Sequence, residues 1–62
     1  MKTNVLVVED NKYMLEFFGE MFNKDDCFEL VGSLRDAMQT EYFCHANRVD
    51  LILMDVQTLH GH

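Results

Sequence analysis

Runs of apolar residues alternate with amphipathic stretches along the 62-residue chain. Residues 4–8 (NVLVV) are mostly apolar and rich in β-branched side chains, which is typical of a strand covered on both faces. A similar run returns at residues 49–56 (VDLILMDV), and a shorter one at residues 27–32 (CFELVG) ends in a glycine. We therefore predict three strands, the second of which ends at Gly32.

The stretches between these runs have the periodicity of helices. After the first strand, apolar residues recur at the spacing of one helix face, at Met14, Leu15, Phe18, Met21 and Phe22. Asp10 or Asn11 is suited to cap the start of this helix, because a side-chain oxygen there can accept an unpaired backbone N–H. Residues 34–46 predict a second helix, with inward positions at Ala37, Met38, Phe43 and Cys44.

The resulting order, β-α-β-α-β, predicts an α/β fold. Strands that alternate with helices at this spacing build parallel sheets through right-handed crossovers. The sequence has no repeat, linker or change of composition, so residues 1–62 are predicted to form one domain. Open sheets of this kind bind ligands at the C-terminal ends of their strands.

Acidic residues stand at the ends of two predicted strands. Glu9 and Asp10 directly follow the first strand, and Asp55 lies near the end of the third. If these strands are neighbours, three carboxylates converge on one edge, where their mutual repulsion favours a bound cation. Oxygen ligands suit a hard divalent ion, and Mg²⁺ takes one or two carboxylates while keeping several waters. The pattern predicts a Mg²⁺ site in which Asp55 can also act as a nucleophile toward phosphorus.

A plainer interpretation of the acidic pair stays open at this point. Asp10 could do no more than cap the first helix, and Glu9 could be solvated surface. Asp55 is harder to explain in this way, because an unpaired aspartate beside a buried strand is costly unless it lies at the mouth of the sheet.

Composition excludes several classes of function. A net charge of −6 without a cluster of Lys and Arg argues against binding to nucleic acid. No apolar run approaches the ~20 residues that span a membrane, and the acidic start does not resemble a signal peptide. Cys27 and Cys44 form no C-x-x-C motif and are expected to be reduced, buried thiols of a cytoplasmic protein.

Three segments together resemble the first half of a response-regulator receiver domain of two-component signalling. They are VLVVEDN, ELVGSLRDA and VDLILMDV, and the resemblance runs along nearly all of the chain. It implies that Asp55 is the phospho-acceptor for a sensor histidine kinase. It also implies that Asp10 binds Mg²⁺ directly, that Glu9 acts through a water molecule, and that the backbone carbonyl of Gln57 completes the set.

The resemblance implies a partial flavodoxin-like, doubly wound parallel sheet with strand order 2-1-3. Residues 1–62 would be a truncated receiver that lacks the last two β-α units, which carry a hydroxyl residue and a lysine in this family. Such a domain is not itself an enzyme. The phrase FELVGSLRDA is similar to receivers that precede DNA-binding domains, which implies an output in transcription. Thr58 and Leu59 stand where the family usually has Met-Pro, so this loop lacks the rigid proline that is customary in the family.

With the last two strands missing, the third strand would be an exposed apolar edge. We expect such an edge to pair with a second copy of the chain, which predicts a homo-oligomer. A stand-alone dimerising module without phosphotransfer is therefore an alternative function. A second alternative is a fragment of a phosphohydrolase of the haloacid-dehalogenase type, which DVQT faintly resembles. That family has a second aspartate at the position of Gln57, and the acidic pair on the first strand favours the receiver.

Overall fold

Two helices and three strands follow one another in the predicted order. The computed structural model describes residues 1–54, and residues 55–62 lie outside the described part. The elements are β1 (Thr3–Val8), α1 (Lys12–Asn23), β2 (Phe28–Leu34), a short 3-10 helix (Ala37–Gln39), α2 (Thr40–Ala46) and β3 (Leu51–Met54). The β-α-β-α-β prediction is therefore confirmed for the chain up to Met54.

The strands form a parallel sheet in the order β2-β1-β3, as predicted. β1 is the central strand, and its last four residues, Val5 to Val8, are almost completely buried. This burial explains why the first run lacks the alternation of polar and apolar residues seen in half-exposed strands. The fold is an α/β arrangement of the partial flavodoxin-like kind.

The two helices cover opposite faces of the sheet. Phe22 of α1 packs in a core with Val5 and Val7, and half-buried Leu15 and Phe18 pack against the same cluster. The ring of Phe43 in α2 lies against Gly32 of β2. Gly32 pairs with Leu6, whose side chain points away from the face of Val5 and Val7 because neighbouring residues in a strand alternate.

A bulge interrupts the pairing of β1 with β2. Val5 pairs with Leu30, and the next residue, Leu6, pairs with Gly32, so Val31 is the extra residue. The bulge moves Gly32 to the α2 side of the sheet although Leu30 lies on the α1 side. Helix packing on both faces of β2 depends on this step.

The predicted end of the second strand is wrong. β2 continues through Gly32 to Leu34, and the backbone N–H of Glu9 extends the same ladder by donating to the Leu34 carbonyl oxygen at 2.8 Å. Gly32 does not break the strand. It leaves room for the Phe43 ring, whose Cε2 atom would lie 2.8 Å from a Cβ built at this position.

The second helix and the third strand are shorter than predicted. In place of one helix over residues 34–46, a 3-10 turn precedes α2, and the Asp36 side chain caps that turn by accepting from the Met38 N–H. The third strand begins at Leu51 rather than at Val49, because Asp50 instead holds the start of β1 through its side chain. Residues 55 and 56 of the predicted strand lie outside the described residues.

Several predicted inward positions are exposed. Met14 and Met21 belong to the predicted apolar stripe of α1, yet they are solvent-exposed because β1 and β2 support only the part of the helix that carries Leu15, Phe18 and Phe22. On the second helical segment Met38 is exposed, whereas Ala37, Phe43 and Cys44 are half-buried. Both cysteines are free thiols, but Cys27 is exposed and was not expected to be. Across residues 1–54, neither helix has the length and apolar character needed to cross a membrane.

Candidate functional site

The acidic pair lies at an edge of the sheet where two neighbouring strands end. Val8, the last residue of β1, pairs with Met54, the last residue of β3. The condition for convergence, that the first and third strands are parallel neighbours, is therefore met. We call Glu9, Asp10 and the ends of β1 and β3 the carboxylate edge. Asp55 follows Met54 in the sequence, and Asp55 and Gln57 both lie outside the described residues.

Glu9 is buried and held in place by the backbone. Its side chain and main chain together are only 6% exposed. The carboxylate Oε2 atom accepts a hydrogen bond of 3.2 Å from the backbone N–H of Asn11. A buried carboxylate needs such partners, since it has lost most of its hydration. Glu9 is therefore not the solvated surface residue of the plainer interpretation.

Asn11, and not Asp10, caps α1. The Asn11 Oδ1 atom accepts from the backbone N–H groups of Tyr13 at 2.9 Å and Met14 at 3.3 Å. Asp10 is half-buried in the turn between Glu9 and this cap. The sequence allowed either Asp10 or Asn11 to cap the helix, and the carboxylate of Asp10 does not serve as the cap.

A basic residue that the sequence interpretation missed also reaches this edge. The guanidinium of Arg35 donates a hydrogen bond of 3.1 Å to the backbone carbonyl oxygen of Asp10. Arg35 directly follows β2, so within the described residues two neighbouring strands, β1 and β2, bring charged residues to one edge of the sheet. The sequence SLRD after an apolar run could have indicated that Arg35 follows a strand. The prediction that the second strand ends at Gly32 separated Arg35 from the strand end, and so it was not considered for the site.

The donor chemistry of the carboxylate edge suits a hard cation. Glu9 and Asp10 offer carboxylate oxygens, the ligands that Mg²⁺ uses in proteins. Among residues 1–54, no three or more His, Cys, Asp or Glu side chains are placed to hold one metal ion. The described part thus supplies two of the three predicted carboxylates, and the third, Asp55, lies outside it.

A groove of about 490 Å³ lies elsewhere, between α1 and β2. Its lining includes Lys2, Phe28 and Glu29, which belong to the N-terminal ends of the strands. The Lys2 Nζ atom is 4.0 Å from Glu29 Oε1, and both side chains are exposed, so this pair contributes little to stability. The groove is remote from the carboxylate edge and is not part of the candidate cation site.

Comparison with known proteins gives one informative similarity. No protein-family model matches the chain, and no solved structure matches it. The chain is 30% identical over 56 residues to the protein-glutamate methylesterase/protein-glutamine glutaminase 1 of Syntrophomonas wolfei. The aligned segment covers 90% of this chain but only 16% of that relative. The similarity thus concerns a small part of a much longer protein.

Proposed function

We propose that the chain is a receiver unit of two-component signalling, in which Asp55 accepts a phosphoryl group from a sensor histidine kinase. The observation that carries this proposal is the pairing of Val8 with Met54, since it brings the acidic pair to the edge where β3 ends. Glu9 is buried, and the Asp10 carboxylate is not used to cap α1. Both residues lie next to β3, the strand that precedes Asp55 in the sequence.

The proposed site binds Mg²⁺ through Asp10 and Asp55, with Glu9 acting through a water molecule and Gln57 contributing its backbone carbonyl. When bound, Mg²⁺ would neutralise charge on the phosphoryl oxygens. The protein's own part is to position the carboxylates. The Asn11 N–H orients Glu9, and the Arg35 guanidinium fixes the backbone of Asp10.

Phosphoryl transfer to an aspartate is a balanced exchange of bonds. A carboxylate oxygen of Asp55 forms a bond to phosphorus while the P–N bond to the kinase histidine breaks. The imidazole nitrogen retains the electron pair of the broken bond. The product is an acyl phosphate on Asp55, and the chain performs no turnover of its own, so we do not propose that it is an enzyme.

The similarity to the methylesterase supports a modular interpretation. A segment of 56 residues shared with a much longer protein fits a regulatory unit that is attached to different outputs. For this chain we propose an output in transcription, on the resemblance of FELVGSLRDA to receivers that precede DNA-binding domains, and a cytoplasmic setting in which Cys27 and Cys44 stay reduced. The methylesterase and glutaminase activities in the relative's name are not proposed for this chain.

The cation site is tested by titrating the ¹⁵N-labelled protein with Mg²⁺ and with paramagnetic Mn²⁺. We expect Mn²⁺ to broaden the amide signals of residues at the carboxylate edge first. Asp10→Asn should weaken binding by about tenfold, the loss of ~1.4 kcal/mol. Asp26→Asn, a matched change of an exposed aspartate in the α1–β2 turn, should have no effect. Broadening that begins elsewhere, or that Asp10→Asn leaves unchanged, would contradict the site.

The acceptor is tested separately with acetyl phosphate and Mg²⁺, read by intact mass. We expect at most a slow and incomplete gain of one phosphoryl group, which Asp55→Asn should abolish and Asp26→Asn should leave unchanged. Modification that persists in Asp55→Asn would refute the acceptor assignment. Steady hydrolysis of a simple phosphoester would instead favour the phosphohydrolase alternative.

A further inference from the structure

The groove between α1 and β2 has an apolar floor and an acidic rim. The rings of Phe22 and Phe28 meet edge to face on the floor, with their centroids 5.5 Å apart, and half-buried Leu30 belongs to the same lining. The rim consists of five exposed charged residues, Glu16, Glu20, Asp25, Glu29 and Lys2. Four carboxylates against one ammonium group give this α1–β2 groove a net charge of −3, half of that of the whole chain.

The carboxylates on the α1 side of the groove lack a basic partner among residues 1–54. Glu16 and Glu20 are four positions apart, so they stand side by side on the helix, where like charges repel. Neither forms an ion pair within the described part of the chain. Asp25 is held at the end of the groove, because its Oδ1 atom accepts a 2.9 Å hydrogen bond from the Cys27 N–H. The rim therefore presents negative charge that a positively charged partner can compensate.

Gly19 leaves the helix wall of the groove open. Glycine inside a helix is unfavourable, and alanine is the residue that α-helices prefer. A Cβ built at Gly19 would lie 4.0 Å from the Cδ2 atom of Leu30, an ordinary contact, so packing within the described chain does not require glycine here. The missing side chain keeps free the space beside Leu30, where a side chain of a bound molecule can lie.

We propose that the α1–β2 groove binds an extended basic segment of a partner protein, in which one apolar side chain is flanked on both sides by Lys or Arg. Residues two apart in an extended chain are ~6.6 Å apart and point to the same side. Glu16 and Glu20 are separated by a helix rise of ~6 Å. The two basic side chains thus match these carboxylates, while the apolar side chain between them points to the floor.

The charge of the groove decides against other occupants. Phosphates, nucleic acids and anionic membrane surfaces are repelled by a net negative rim. A single metal ion is not favoured, since no three acidic side chains among residues 1–54 are placed to hold one. A second copy of the chain does not supply the segment, because each Lys or Arg in the sequence is ten or more residues from the next.

The groove is separate from the carboxylate edge and from β3. Its lining belongs to residues 2–30, and β1 lies between β2 and β3 in the sheet. The lining residues of the sheet stand at the N-terminal ends of the strands, whereas Glu9 and Asp10 follow the C-terminal end of β1. Both sites can therefore be occupied together, and the proposal does not depend on the proposed signalling function.

The experiment titrates the ¹⁵N-labelled 62-residue chain at low salt with a synthetic peptide that carries Lys-Leu-Lys between glycine and serine residues. We expect the amide signals of Gly19 and Leu30 to shift, with a Kd below about 1 mM. Two matched peptides test the two parts of the groove. Lys-Ser-Lys lacks the apolar anchor and Glu-Leu-Glu reverses the charges, so each should bind at least about tenfold more weakly.

Variants of the protein separate binding from folding. Glu20→Gln keeps the shape of the rim and removes one charge, so it should weaken binding by about threefold at low salt and have little effect at high salt. Gly19→Leu fills the groove beside Leu30 and should weaken binding by about tenfold, while circular dichroism and the urea midpoint show an intact fold. Glu41→Gln, the matched change of an exposed glutamate on α2, should leave binding unchanged.

Three results would overturn the proposal. The first is the absence of amide shifts up to millimolar peptide, or shifts that begin at Glu9 and Asp10 instead of in the groove. The second is equal binding of the Lys-Ser-Lys peptide, which would show that the acidic surface attracts any cation. The third is unchanged binding in folded Gly19→Leu, since a filled groove cannot hold the apolar side chain.

Discussion

The Arg35 guanidinium and the Asp10 backbone carbonyl oxygen, 3.1 Å apart, join the ends of β2 and β1. The contact brings a positive charge to the edge of the sheet that carries Glu9 and Asp10. It anchors the turn that leads into α1. It also opposes the approach of any cation to this edge, and these two effects can be measured separately.

Arg35→Gln should tighten the binding of Mg²⁺ or Mn²⁺ at the carboxylate edge by about two- to fivefold at low salt. The reason is that the substitution removes a repelling charge while the amide can still donate to the Asp10 carbonyl. Titration followed by NMR measures the change, which should shrink at high ionic strength as screening increases. Lys24→Gln removes an equal charge at the opposite end of the sheet and serves as the control. A weaker affinity in Arg35→Gln would show that anchoring outweighs repulsion.

Gly32→Ala should destabilise the fold by about 1–3 kcal/mol, the usual range for an overpacked site. The added Cβ overlaps the Phe43 ring, so α2 or β2 must shift. Urea unfolding followed by circular dichroism measures the loss. Gly19→Ala is the matched control, since its Cβ would meet only Leu30 Cδ2 at 4.0 Å. That change lies within α1 and should instead stabilise the protein by about 0.5–1 kcal/mol. Equal effects of the two changes would contradict the packing described for Phe43.

Asn11→Ala should cost about 1 kcal/mol of folding free energy, because the N–H groups of Tyr13 and Met14 lose their acceptor. Asn11→Asp keeps an acceptor oxygen at the same position and should retain most of the stability. The comparison requires only denaturant midpoints for the three proteins. If Asn11→Ala matched the unchanged protein, the cap would have to be supplied by another residue such as Asp10.

Asp50→Ala should loosen the attachment of β3 to β1. The Asp50 Oδ2 atom accepts a 2.8 Å hydrogen bond from the Asn4 N–H, and the Asp50 N–H donates to the Asn4 carbonyl at 2.8 Å. Removing the carboxylate should cost about 1 kcal/mol and speed amide hydrogen exchange in β3 more than in β2. Asp26→Ala should stay within about 0.5 kcal/mol of the unchanged protein, as is usual for an exposed site. Uniform acceleration across the sheet would indicate global rather than local loosening.

The strands could be predicted where burial on both faces requires apolar residues at every position. β1 is covered on both faces, so its residues are almost all apolar, and the alternation with helices predicted a parallel sheet. The strand order 2-1-3 came from the resemblance to receiver domains. The acidic pair could be located for the same reason, since it directly follows that run. What sequence could not decide was which of Asp10 and Asn11 caps α1, because both residue types are good caps and only the turn geometry distinguishes them.

The errors arose where a distant contact overrides a local signal. A glycine after an apolar run often marks the end of a strand, which is why Gly32 was predicted to end β2. The local sequence does not reveal that the Phe43 ring packs against Gly32, because the two residues are far apart in the sequence. The wrong strand end then hid Arg35 from the candidate site. Met14 and Met21 fit the helical period, but the period does not reveal how much surface the sheet offers to the helix.

The extra residue at Val31 has a consequence for how this protein is compared with others. From Gly32 onward, each residue of β2 points to the face of the sheet opposite to the one it would point to in a strand without the bulge. An ungapped alignment to a regular strand would match inward positions with outward ones over its second half. Two chains with the same interior would then score as dissimilar, unless a one-residue gap is permitted at that place.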